Sequence, residues 1–194
     1  MNTKPFLDYI LRYVDLTPEE INLLLDNISH RSYLKGQYIV QQGDICRFES
    51  FVVNGCVKTF YVDDDGQEHV VLFAIENWWA ADLGSFLSQE PADYNVQCIE
   101  NTEVIQFSFE QLEMLYQNIP KLERFFRIII QNAFVASQRR VIKNFSLPAK
   151  ERYIEFKSRY PQIEQRVPQY LIASYLGVTK EFLSKIKSQL LQDQ

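Results

Sequence analysis

Apolar residues change their period twice along this chain. Between residues 6 and 28 they recur at helical spacing, which predicts helix across that stretch. Inside it, Leu16-Thr17-Pro18-Glu19-Glu20-Ile21 is a complete helix start: Thr17 as N-cap, Pro18 at the first helical position, Glu20 closing a capping box and Leu16 stapling onto Ile21. From Ser32 to about Phe107 the period becomes two. Runs rich in Val, Ile, Phe and Tyr are cut by turn signals at Lys35-Gly36, Gln42-Gly43-Asp44, Asn54-Gly55 and Asp63-Asp64-Asp65-Gly66. Asn54-Gly55, between FESFVV and CVKTFYV, predicts a hairpin. Short strands at this spacing predict a jelly-roll-like sandwich or barrel. The acidic Asp63–Asp65 run reads as a solvated turn, because it lacks the alternating ligands and distal Glu of a calcium loop.

After residue 107 the helical period returns. Residues 108–118 predict a short helix, and Pro120 opens a long one with a broad apolar stripe. Leu122, Phe125, Phe126, Ile129, Ala133 and Ala136 lie on it, and the small residues would let a second helix approach closely. The stripe therefore predicts a homodimer interface, with one edge left to pack on the chain's own barrel. Leu147-Pro148 marks a hinge, and AKERYIEFKSRYPQ predicts an amphipathic helix ending before Pro161. In YLIASYLGVTKEFLSKIKSQ, Ile172, Ala173 and Leu176 share one helix face, Gly177 breaks the run, and Leu183, Ile186 and Leu190 form a second stripe. That is the pattern of a helix-turn-helix. Gly177 can take the left-handed conformation that ends the first helix, and Thr179 can cap the second. Thr179, Lys180, Glu181, Ser184, Lys185, Lys187 and Ser188 remain outward, the side-chain types that meet base edges and phosphates. The bland alternative is a helical hairpin with a solvated lysine face.

Charge changes the picture. The net charge of −5 hides an asymmetry: residues 1–118 hold 6 Lys+Arg against 19 Asp+Glu, whereas residues 119–194 hold 14 against 6. An acidic sensor or scaffold joined to a basic, phosphate-seeking module accounts for that split. Cys46, Cys56 and Cys98 are scattered and lack metal spacing, which fits free thiols in a reducing cytoplasm. The N-terminal residues carry charges throughout, unlike a signal peptide, and no apolar run reaches membrane-span length. An enzyme is not expected: His30 and His69 are isolated, and no nucleophile–base pattern or Gly-rich phosphate loop occurs.

The order of these elements resembles the Crp/Fnr family of transcription regulators. The resemblance spans essentially the whole chain and is carried by GQYIVQQGD (36–44), NGCVKTFYVDDDGQEH (54–69), WWAADLGSF (78–86) and the helix-turn-helix. KERYIEFKSRYPQ with VPQYLIASYLGVTKEFLSKIK is similar to a short-tailed branch of the family. The resemblance implies an α+β chain in three parts: a cyclic-nucleotide-binding-like sensor (1–118) with an N-terminal helix and jelly-roll-like β-barrel, a dimerisation helix (119–146), and a helix-turn-helix domain (147–194). It implies a homodimer on a two-fold double-stranded DNA site, with RNA polymerase as a further candidate partner and no membrane association. The alternative is an effector-binding module that acts through protein partners.

Two departures from the family pattern matter. Where cyclic-nucleotide binders carry Gly-Glu and then Arg-Ser/Thr, this chain has Ala81-Asp82 and Ala92-Asp93. Between Arg47 and Lys121 Lys58 is the only Lys or Arg, so cyclic AMP is not expected as effector, and no cofactor is assigned. Candidate effector-pocket residues are Trp79, Asp82, Leu83, Gly84, Ser85, Phe86, Ala92 and Tyr94, with Trp78 beside them. At the second helix of the motif Lys180 and Lys185 stand where arginine is usual. Lysine cannot make arginine's two-pronged contact with guanine, so the target sequence is not transferable from relatives.

Overall fold

In the computed structural model, which describes residues 2–192, helix is laid down first as two short pieces rather than one. Helix α1 (Lys4–Ile10) and helix α2 (Pro18–Asp26) are separated by a turn and an extended stretch. The strong start at Thr17 explains the break. Its hydroxyl accepts from the Glu20 amide (3.3 Å) and the Glu20 carboxylate accepts from the Thr17 amide (2.7 Å), and Thr17 itself is extended, which ends any continuous helix there.

Eight strands follow: β1 (Ser29–Tyr33), β2 (Tyr38–Val40), β3 (Phe48–Asn54), β4 (Val57–Val62), β5 (Glu68–Ala74), β6 (Trp79–Ala80), β7 (Asn95–Cys98) and β8 (Thr102–Ser108), with helix α3 (Leu83–Ser88) between β6 and β7. They form two antiparallel sheets, ordered β1-β8-β3-β6 and β2-β7-β4-β5. The architecture is a two-sheet sandwich, one of the two forms the strand spacing predicts, and not a closed barrel. The Asn54-Gly55 hairpin is also corrected. β3 and β4 lie in different sheets, so this corner carries the chain from one sheet to the other. Gly55 has φ +111°, and a Cβ there would sit 2.5 Å from Thr102 Oγ1 and 2.8 Å from the Asn101 carbonyl oxygen. The return corner, β7 to β8, is thus packed directly against it. Asp63–Gly66 does join paired strands, with Asp63 Oδ1 accepting from the amides of Asp65 (3.1 Å) and Gln67 (2.9 Å).

Helix α4 (Phe109–Asn118) starts on a Ser108–Gln111 capping box, and helix α5 (Lys121–Ser146) follows. Helices α6 (Ala149–Arg159), α7 (Pro161–Arg166), α8 (Gln169–Leu176) and α9 (Lys180–Gln192) complete the described chain. Two cores result. The first joins α1, the sandwich and the start of α5 through Phe6, Phe51, Phe107 and Phe125. The second joins the outer face of the β4–β5 sheet, through Phe60, Val70 and Phe73, to Tyr153, Phe156, Leu171, Leu176, Leu183 and Ile186 of the terminal helices. The helix-turn-helix therefore shares a core with the sandwich.

Candidate nucleic-acid interface

Helix α8 ends because Gly177 turns left-handed (φ +66°, ψ +38°), with its amide donating to the Ser174 carbonyl and the Val178 amide to the Ala173 carbonyl, each at 3.0 Å. Thr179 then starts α9: its Oγ1 accepts from the Phe182 amide (3.2 Å) and its carbonyl from the Leu183 amide (3.0 Å). Ile172, Ala173, Leu176, Leu183 and Ile186 are buried, so the two helices are locked through their apolar stripes. Thr179, Lys180, Glu181, Ser184, Lys185 and Ser188 are all exposed. Lys187 differs. Its ammonium is 2.9 Å from Glu164, whose carboxylate also accepts from the Tyr153 hydroxyl at 2.9 Å. Burial pushes the Glu164 carboxyl up, but the bonds from Lys187 and Tyr153 outweigh it and hold the group below the usual range. Phe182, half-exposed next to Glu181, is an apolar member of this surface that lies off both apolar stripes.

The residues expected to line an effector pocket are divided between core and surface. Trp79 packs among Phe6, Phe51, Phe107, Phe125 and Phe126, with ring centroids 5.1–6.3 Å away. Ser85, Phe86 and Ala92 are buried, whereas Leu83, Gly84 and Tyr94 are at the surface. Asp82 is buried and its carboxylate is already used: Oδ1 accepts from the Ser85 amide (3.0 Å), and Oδ2 from the amides of Asp93 (2.9 Å) and Tyr94 (3.0 Å). These are main-chain donors of the kind an incoming anion would need. An open cavity of about 560 Å³ lies elsewhere, lined by Arg31, Tyr33, Tyr38, Phe48 and Gln106 among others. Among the described residues no group of three or more His, Cys, Asp or Glu could hold a metal ion.

The proposed dimer stripe divides in two. Leu122, Phe125 and Phe126 are buried inside the chain's own first core, so they are corrected from interface to core residues. Tyr9 and Tyr13 already pack on Phe125, and Tyr116 on Phe126. Ile129 and Ala136 are half-buried and Ala133 is exposed. Further along, Ile130, Phe134, Val141 and Phe145 are exposed at four-, seven- and four-residue spacing, with Val135 and Ile142 beside them.

Residues 30–118 match the family model of the cyclic nucleotide-binding domain. The chain is 24% identical over 192 residues to the transcriptional activator protein anr of Pseudomonas aeruginosa, covering 93% of this chain and 78% of that protein. It is 24% identical over 178 residues to the regulatory protein HlyX of Actinobacillus pleuropneumoniae, covering 84% of this chain and 72% of that one. Among solved structures, the c-di-GMP responsive global regulator CLP of Xanthomonas campestris superposes with a TM-score of 0.74 at 18% identity, over 91% of this chain and 93% of that chain. Residues 30–118 thus match a cyclic nucleotide-binding domain, and the chain as a whole, with its sandwich, long helix and terminal helix-turn-helix, resembles the regulator anr in sequence and CLP in fold.

Proposed function

We propose that this chain is a sequence-specific DNA-binding transcription regulator that works as a homodimer on a two-fold site. The observation that carries the reading is the state of α9. Six polar side chains of the types that read bases and phosphates are exposed together on a helix whose opposite face is buried. The +8 net charge of residues 119–194 supports it, as does the kinship with transcriptional activators. The exposed seam Ile130, Phe134, Val141 and Phe145 has coiled-coil spacing and fits a twin helix, which would place two reading helices about one axis.

Lys180, Glu181 and Lys185 near the start of α9 read bases in this scheme. Lys187 is a lesser phosphate contact than its position along the helix implies, because Glu164 already neutralises it. Cyclic AMP is not the effector. Asp82 fills the main-chain donors nearest the matched position, and Ala92 supplies no cation. Among the described residues no helix is long and apolar enough to cross a membrane.

Binding to genomic fragments, followed by site selection, tests the proposal. Glu181→Ala should relax preference at one base pair by about 1–3 kcal/mol. Lys185→Ala should likewise relax preference at a second base pair. An unchanged site logo for Glu181→Ala would remove the base-reading role.

A further inference from the structure

Trp78 and Trp79 are adjacent; both pack on the first core, and Trp78 also packs on the second. Trp79 packs on Phe126 at 5.1 Å, in the first turns of α5. Trp78 meets Tyr160, between α6 and α7, edge-on at 5.7 Å. Asn77 before them sits at φ +68°, a left-handed conformation that only a few non-glycine residues tolerate. Its amide is tied to the Val52 carbonyl at 2.9 Å. One residue earlier, Glu76 accepts from Arg166 Nη1 (2.7 Å) and Nη2 (3.0 Å). The same guanidinium reaches Glu100 through Nε (3.2 Å) and Nη2 (2.7 Å). One arginine of the terminal helices thus joins two acidic loops of the sandwich, and Glu76 also holds the Gly55 amide (2.8 Å) at the sheet-switching corner.

A second tie lies on α8. Ser174 Oγ donates to the Glu68 carbonyl (2.8 Å) and accepts from the Val70 amide (2.9 Å). Strand β5 is the edge of its sheet, and Ser174 supplies the donor and acceptor that a further strand would have offered. Arg140 of α5 donates to the Val71 carbonyl on the same edge and lies 4.6 Å over the Tyr175 ring. None of these ties covers the outward face of α9, which stays exposed while the unit is docked.

We propose that Arg166, Ser174 and Trp78 are positioning residues that hold the helix-turn-helix unit in one orientation on the sandwich, with residues 76–79 linking that orientation to the start of α5. The consequence for DNA reading rests on the function proposed above; the orientation itself does not, and it is tested without DNA. Cysteines are introduced by Glu103→Cys on β8 and Gln189→Cys on α9, both exposed positions, and spin-labelled. The native thiols are buried and remain unlabelled. Labelled chain is diluted with unlabelled chain so that only distances within one protomer are read. The parent should give one narrow distance distribution. Arg166→Gln should broaden it at least about twofold, and Ser174→Ala by less, with far-ultraviolet circular dichroism unchanged. Retention of helical signal with loss of the defined distance separates positioning from a merely structural role. Unchanged width in folded Arg166→Gln and Ser174→Ala chains would overturn the proposal. Should Arg166→Gln not fold, Glu100→Gln replaces it, and there too broadening supports the proposal and unchanged width refutes it.

Discussion

The first and second halves of α5 carry similar runs of large apolar residues and use them in opposite ways. Leu122, Phe125 and Phe126 are almost wholly enclosed, while Phe134 is 62% and Phe145 88% exposed. The difference comes from what stands opposite. Facing the first half are Tyr9, Tyr13, Trp79 and Tyr116, a preformed aromatic wall. The second half runs beyond that wall, where Arg140 and Lys143 hold it to β5 and α6 from one side only. A helix stripe therefore says that apolar residues will be covered, not by which surface.

The contrast is broken most strongly at Phe125. Phe125→Ala removes a ring buried within one chain and should cost about 3–5 kcal/mol, roughly a 10 °C fall in melting temperature. That loss should not depend on protein concentration, as a dilution series in calorimetry would show.

The next effect is a pH dependence in the same enclosed half. Glu49 on β3 is buried, its Oε2 has no hydrogen-bond partner, and burial pushes its carboxyl up to about 8. Burial first, and then the nearby Glu49, also pushes up the phenol of Tyr116, which packs on Phe126. The folded state thus keeps a proton that the unfolded chain releases near pH 4.5, so stability falls as pH rises through that window. Linkage puts the loss at about 3 kcal/mol between pH 5 and pH 8. Glu49→Gln should remove this slope: relative to the parent, urea midpoints for the variant should improve steadily toward pH 8. Parallel curves would show that the carboxyl is ionised throughout.

Smaller changes are expected from the open half. Phe134→Glu should leave the unfolding of the single chain within about 0.5 kcal/mol of the parent. It should weaken self-association by about 2 kcal/mol, roughly thirtyfold, measured by light scattering across a concentration series. Ala133→Glu, beside the seam, should weaken it only a few-fold, by less than about 1 kcal/mol. A parent that remains monomeric at tens of micromolar would assign that face to another partner.

Local signals in the sequence were read well where the physics is local. The Thr17–Glu20 box, the left-handed Gly177 and the Thr179 cap each depend on a handful of consecutive residues, and each has the expected geometry. Asn54-Gly55 was misread because the dipeptide encodes a positive φ at Gly55 but not the identity of the pairing strand. β3 pairs with β8 and β6 and β4 with β5 and β7, strands that lie farther along the chain than the dipeptide can specify. Helix α7 went unforeseen, since six residues after Pro161 are too few to display a period. At the candidate site, the exposed face of α9 was legible from helical spacing. The commitment of Lys187 to Glu164 and of Arg166 to Glu76 and Glu100 was not, because the partners lie 23, 90 and 66 residues away. The same holds for Asp82, whose carboxylate is engaged by the amides of Asp93 and Tyr94, 11 and 12 residues away.

The three thiols turn this architecture into a set of clocks. Burial pushes Cys46 up to about 11 and Cys56 up to about 12, and raises Cys98 as well. Only a thiolate reacts at a useful rate, so an alkylating reagent must wait until the protein opens. Cys46 and Cys98 sit in the core closed by α1 and α5, whereas Cys56 sits in the core that the terminal helices close over the β4–β5 sheet. With single-thiol chains in saturating reagent, each labelling rate becomes the opening rate of its own compartment. Equal rates would mean that the terminal helices and the sandwich come apart only as the whole molecule unfolds. A faster Cys56 would time the undocking of the terminal helices alone.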